Sequence, residues 1–246
     1  MSASPLNRRE VFCLLGAASA SSLFGTHMAT ANLPVPAVDA VDHLLLGISD
    51  LDTGIAWVEK ATGVTAVVGG SHPGVGTRNA LLSLGGRRYL EIIAPDPAQT
   101  AFNSRHDVRK LSQPRLMTWA AATTDIESVA KRAAEGGRQI FGPRDGSRAR
   151  PDGKTIRWRT LGIMHQLGSQ LADPIPFFIE WAADAIHPSQ DSPTGCVLQS
   201  FTIEAPNASA VSGELRRLGI DAAVKEANAL RLVATLKTAK GLVTLE

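Results

Sequence analysis

Cysteine is nearly absent. The 246-residue chain has two, Cys13 and Cys196, so a disulfide-stapled scaffold is excluded and stability has to come from a buried core. Aromatic residues make up 5 % with a single Tyr, too few for the stacking platforms that hold bases. No sign of charge dominates either. Lys and Arg total 25 against 23 Asp and Glu, far short of the basic stripe that a phosphate backbone or an anionic lipid surface requires, so nucleic acid is excluded as a partner. No apolar run reaches the roughly 18–20 residues that span a bilayer. The longest candidate, Val11 to Phe24, is shorter and diluted by Gly and Ser, and stable membrane insertion is not expected. What remains is an ordinary soluble composition, 44 % apolar and 20 % charged, in a chain long enough for one large domain or two small ones.

Residues 1–31 differ from the rest. Asn7-Arg8-Arg9-Glu10-Val11-Phe12 precedes a weakly apolar, Gly- and Ala-interrupted stretch, and Ala29-Thr30-Ala31 supplies a small-x-small cleavage pattern. These are the parts of an export signal. The adjacent arginines with Phe12 beyond them resemble the bacterial twin-arginine type, with Asn7 where Ser or Thr is commoner. Cleavage near Ala31 leaves an exported, periplasmic or extracellular protein with Cys196 as its single thiol, and no intrachain disulfide.

An internal repeat organises the rest of the chain. Val41 to Ile48 reads as a strand, Ser49-Asp50-Leu51-Asp52 as a turn with a helix cap, and Thr53 to Ala61 as an amphipathic helix stopped at Gly63. Strands are predicted at Val64 to Val68, Asn79 to Leu84 and Arg87 to Ala94, the last two joined at Gly85-Gly86. The βαβββ order recurs with a strand from Met117 to Thr123, a helix from Ser128 to Glu135 and strands at Gln139 to Gly142, Lys154 to Thr160 and Pro176 to Trp181. Pro143 to Gly153 reads as a solvated Arg-rich loop. A third copy runs from Leu198 to Leu245, with Asn207 as cap and Ala208 to Leu218 as helix. There the interval from Leu198 to Glu246 equals that from His43 to Glu91.

This α+β repeat, with His in its first strand and Glu in its last, resembles the vicinal oxygen chelate superfamily. Within it, the chain is most similar to the glyoxalase-like domain family, through Asp42-His43-Leu44, His72 to Ala80, Tyr89 to Pro97 and Pro176 to Trp181. The resemblance implies two modules, about 38–97 and 115–187, paired in a half-open curled sheet within residues 32–192. A third module then fills 193–246. It also implies a divalent metal (Zn, Ni, Mn or Fe) on His43, Glu91 and Glu180, with positions left open for two neighbouring substrate oxygens. The fourth expected place falls on Thr118, which is no convincing ligand.

The residues themselves leave alternatives open. His43 is either a ligand or a polar strand-end residue hydrogen-bonded within the fold. Alternation places Glu91 and Glu180 on either face of their strands, and a carboxylate facing the interior has to be paired, protonated or metal-bound, which makes both candidate catalytic groups. In the His72 to Asn79 loop the glycines serve a tight turn, or the loop flanks the cavity mouth with His72, Arg78 and Asn79 on the substrate. Trp181 and His187 are further substrate-binding candidates. The expected protein is an exported lyase, isomerase or dioxygenase acting on a small oxygenated molecule, as monomer or homodimer. The alternative is a protein that sequesters a small ligand without turnover.

Overall fold

A computed structural model describes residues 33–149, 155–169 and 171–246, so the export signal expected at residues 1–31 lies outside the described residues. The described residues begin with β1 (Val35–Pro36) and the one-turn α1 (Ala37–Ala40). The first βαβββ unit is β2 (Val41–Gly47), α2 (Leu51–Thr62), β3 (Val67–His72), β4 (Thr77–Ser83) and β5 (Tyr89–Pro95). The second is β6 (Arg115–Ala122), α3 (Ile126–Glu135), β7 (Ile140–Ala149), β8 (Thr155–Ile163) and β9 (Phe177–Trp181). After the short α4 (Pro188–Asp191) come β10 (Val197–Ala205), α5 (Ala208–Arg217), β11 (Ile220–Asp221), β12 (Ala223–Glu226), β13 (Arg231–Thr238) and β14 (Gly241–Leu245).

The first two units make one curled sheet of eight strands in the order β3-β4-β5-β2-β6-β9-β8-β7. Each places its first strand beside its last in parallel, and the two first strands meet antiparallel at the centre. The curled half-barrel of two paired βαβββ units expected from the repeat is therefore present. Period-two alternation divides its faces. Leu44, Leu46, Leu90, Ile92, Trp119, Ala121 and Phe178 turn outward into the main core under the helices. Asp50 caps α2 by accepting from Thr53 N–H at 2.8 Å, and Asp125 caps α3 through Ser128 N–H at 3.0 Å, each satisfying an otherwise orphan donor. The opposite, concave face carries His43, Tyr89, Glu91, Asn79 and Phe177. A smaller apolar cluster of Ile93, Val108 and Met117 lies beyond them.

Two expectations change. Pro143 to Gly153 is not a loop over its first half, because β7 runs to Ala149 and pairs with β8, Arg144 opposite Thr160 and Arg148 opposite Ile156. Pro143 sits in the register shift between Phe141 and Arg144, the kind of irregularity where a strand tolerates proline. The third unit keeps the element order but not the pairing. Its first strand, β10, lies between β12 (parallel) and β13 (antiparallel), giving β12-β10-β13-β14, since the chain leaving α5 returns directly alongside β10. Glu246 consequently has no counterpart of Glu91's setting and lies 3.7 Å from Arg231 on the surface. This sheet is fastened to the first by Phe201, edge-on to Trp119 at 5.0 Å, and by the buried Glu214 of α5, which accepts from Arg138 at 2.6 and 2.7 Å. Among the described residues, no helix is long and apolar enough to cross a membrane.

Candidate functional site

The site grows out of an irregularity in β2. Val41 pairs with Ala121 and His43 with Ala120, so Asp42 is an extra residue between them. A bulge breaks the alternation of side chains, and Asp42 and His43, neighbours in sequence, both reach the concave face. His43 donates from Nδ1 to Asp42 Oδ1 at 2.7 Å. Asp42 Oδ2 accepts from Trp181 Nε1 at 2.9 Å and from His187 Nε2 at 3.1 Å. The proton of His187 is on Nε2 because its Nδ1 accepts the Ser189 backbone N–H at 3.2 Å. Three donors thus converge on a carboxylate that is 2 % exposed.

Burial alone would raise the Asp42 pKa, but the hydrogen bonds from His187 and His43 outweigh it and hold the carboxyl at about 2 against an ordinary 3.8. A depressed folded pKa contributes stability that is fully present above the unfolded value and is lost as pH falls through the folded one. Acid titration of unfolding free energy, followed by circular dichroism, is therefore expected to show a loss of about 2 kcal/mol between roughly pH 4 and pH 2 that the Asp42→Asn chain lacks.

With Nδ1 committed to Asp42, the Nε2 of His43 faces inward. The ring is held between Tyr89, stacked at 4.5 Å, and Phe177, edge-on at 5.5 Å. Its Nε2 lies 3.5 Å from Glu91 Oε2. Burial, then the charges of Glu91 and Asp42, push the Tyr89 phenol well above 10, so it stays protonated at neutral pH.

Glu91 is 7 % exposed and its two oxygens are unequal. Oε1 accepts from Asn79 Nδ2 at 2.6 Å and lies 3.4 Å from His72 Nε2, whereas Oε2 is directed at His43. The Asn79 amide cannot turn over, because its Oδ1 accepts the Gly70 N–H at 2.9 Å. A second bulge makes this possible: Val68 pairs with Ala80 and Gly70 with Asn79, leaving Gly69 as the extra residue. A Cβ at Gly69 would sit 2.4 Å from Asn79 Oδ1. Gly69→Ala is expected to cost about 1–3 kcal/mol in urea unfolding, the usual effect of overpacking a filled site.

Of the residues singled out in the sequence, His43, Glu91, His72, Asn79, Trp181 and His187 come together here. Two do not. Glu180 follows Ile179 and precedes Trp181 in β9, so alternation turns it to the helix face. There its Oε1 accepts from Ile126 N–H at the start of α3 at 3.3 Å and its Oε2 pairs with Arg159 at 3.4 Å. Arg78, beside Asn79 in β4, also points away from the site, and its charge acts on Asp50 and Asp96. Asp42, Tyr89 and Phe177 belong to the site without having been assigned to it. Asp42 had a signal, its place beside His43, but no alternation rule puts neighbours on one face.

The metal implied by the resemblance finds a partial fit. Asp42 behind His43 gives the carboxylate–imidazole support that metal-bound histidines usually have, and Glu91 is adjacent. The third donor, Glu180, is on the other side of the sheet, and Thr118 and Ala120 occupy the facing positions of β6. Among the described residues, no three His, Cys, Asp or Glu side chains converge on a point where a metal ion could sit. The three donors that the resemblance implies, His43, Glu91 and Glu180, therefore do not form one metal site.

A family model described as a glyoxalase-like domain matches residues 41–219. The chain belongs to this family. The match runs from the strand of His43 through the helix of the third unit. A hypothetical protein from Staphylococcus aureus has 16 % sequence identity and a TM-score of 0.62, covering 84 % of this chain and 98 % of its own, so the two share a fold. Methylmalonyl-CoA epimerase from Mycobacterium tuberculosis has 19 % identity over 63 % of this chain and 92 % of its own, at a TM-score of 0.38. No curated protein sequence matches the chain.

Proposed function

We propose that this glyoxalase-like protein is an exported enzyme that moves a proton at a carbon next to a carbonyl in a small oxygenated molecule, as an isomerase or lyase. The observation that carries the reading is the asymmetry of Glu91, a buried carboxylate with one oxygen fixed by Asn79 and the other directed at a histidine. In the reaction the C–H bond breaks heterolytically, its proton passes to Glu91 Oε2, and the electron pair moves onto the carbonyl oxygen. His43 Nε2, 3.5 Å from Oε2, exchanges that proton with Glu91, and Asp42 stabilises the imidazolium formed in between, the orienting role a buried carboxylate plays behind a catalytic histidine. Reprotonation of the enolate at carbon completes an isomerisation, and expulsion of a leaving group from the β-carbon completes an elimination. Export is supported by the Arg8-Arg9 leader ending at Ala31.

The test is deuterium wash-in. The mature protein in D₂O is incubated with short-chain 2-oxo and 3-oxo acids, their esters and acyl thioesters, and the recovered molecules are weighed by mass spectrometry. Catalysed exchange of a C–H next to the carbonyl is the expected result. Tight binding of a probe with no exchange of any would instead establish the sequestering alternative.

A further inference from the structure

Arg148 is one of the arginines expected on a solvated loop, but it faces the site. On β7, Gly146 pairs with Trp158, and the Trp158 ring lies over it so closely that a Cβ at Gly146 would be 2.4 Å from Nε1. Trp158 in turn packs on Trp181 at 5.5 Å, which places this side of β7 on the concave face. Arg148, two residues on, shares it. Its guanidinium reaches across the open edge of the half-barrel to β3, where Nη1 lies 3.8 Å from the Cβ position of Gly70. Gly70 is the residue whose N–H holds Asn79 against Glu91. The charge of Arg148 is also felt at Tyr89, beneath His43. Among the described residues, no carboxylate or carbonyl accepts a hydrogen bond from it.

Resting on the proton-transfer reading of the site, we propose that Arg148 binds a carboxylate of the substrate, so that the enzyme acts on oxo acids rather than on neutral aldehydes, ketones or esters. The chemistry favours this. Asp42 and Glu91 already place two carboxyl groups in the concave face, and an anionic substrate approaching them needs a fixed cation. A guanidinium offers two parallel N–H donors to a carboxylate. Trp158 and Trp181, half-buried on the same face, put apolar surface beside the contact and strengthen it by lowering the local dielectric. Held there, the acid presents its α- or β-carbon inward toward Glu91 while its carboxylate stays at the rim.

Isothermal titration of the mature protein with 2-oxo and 3-oxo carboxylates, each paired with its methyl ester, tests this separately from turnover. The wild type is expected to bind at least one acid about 10–100-fold tighter than its ester. Arg148→Ala abolishes the difference, and Arg148→Lys, which keeps the charge but not the fork, restores part of it. The Glu91→Gln chain keeps the preference, so failure of proton transfer alone leaves this result intact. Equal affinity for acid and ester in the wild type, a preference that persists in Arg148→Ala, or no binding of any acid would overturn the assignment.

Discussion

Glu91→Gln is expected to slow deuterium wash-in by roughly 10³-fold, within the 10²–10⁴ that a positioned general base contributes, while leaving the fold intact. Glutamine has the shape of the carboxylate it replaces. Its carbonyl oxygen still accepts from Asn79 Nδ2, and its amide N–H₂ then faces the Nε2 lone pair of His43, so every buried polar group at that point keeps a partner. Unfolding stability is expected to stay within about 1 kcal/mol of the wild type. What the variant lacks is an oxygen basic enough to take a proton from carbon. A loss of exchange accompanied by an equal loss of stability would mean that Glu91 holds the site together rather than acting in it.

Asp42→Asn is expected to strike both function and stability. The wild-type carboxylate satisfies three donors with two oxygens, Trp181 and His187 on Oδ2 and His43 on Oδ1. Asparagine has one oxygen. If that oxygen serves Trp181 and His187, the amide N–H₂ confronts His43 Nδ1 and drives the imidazole into its other tautomer, with the proton on Nε2 pointing at Glu91. The proton then has nowhere to go. Wash-in should fall by about 10²–10⁴, the scale seen when a catalytic histidine is held in the wrong tautomer. At neutral pH the chain should also lose the roughly 2 kcal/mol that the depressed Asp42 pKa contributes. The two readouts separate the roles: rate is read in D₂O at a temperature where both chains are folded, and stability in urea.

The repeat carried most of the fold into view from the sequence. Apolar runs of strand length, Asp50, Asp125 and Asn207 before the helix of each unit and glycine stops after them are local signals, and they mark the β-α-β-β-β order because each reflects backbone chemistry within a few residues. Pairing is not local. Nothing between Asn207 and Glu246 announces that β12 would add beside β10 instead of β14, and the third unit departs from the first two at that point. At the site, His43 and Glu91 stood out because the repeat gave them defined places, whereas the faces of β9 were unreadable. Phe177, Phe178, Ile179 and Trp181 are all large and apolar, so the pattern does not say which set meets the helices, and Glu180 goes with whichever face Phe178 takes. Bulges hide in the same way. Asp42 and Gly69 each add one residue to a strand without any change in composition, yet one brings a carboxylate behind His43 and the other opens room for the Gly70 N–H to lock Asn79.

Whether His43 and Glu91 work as one proton-transfer unit can be read from a double-mutant cycle on the wash-in rate, comparing Glu91→Gln, His43→Gln and the pair together. Residues that share one proton are strongly non-additive. The double variant is expected to be no slower than the slower of the two single variants. Independent losses that multiply, or an exchange rate undiminished by either substitution, would contradict a proton shared between them.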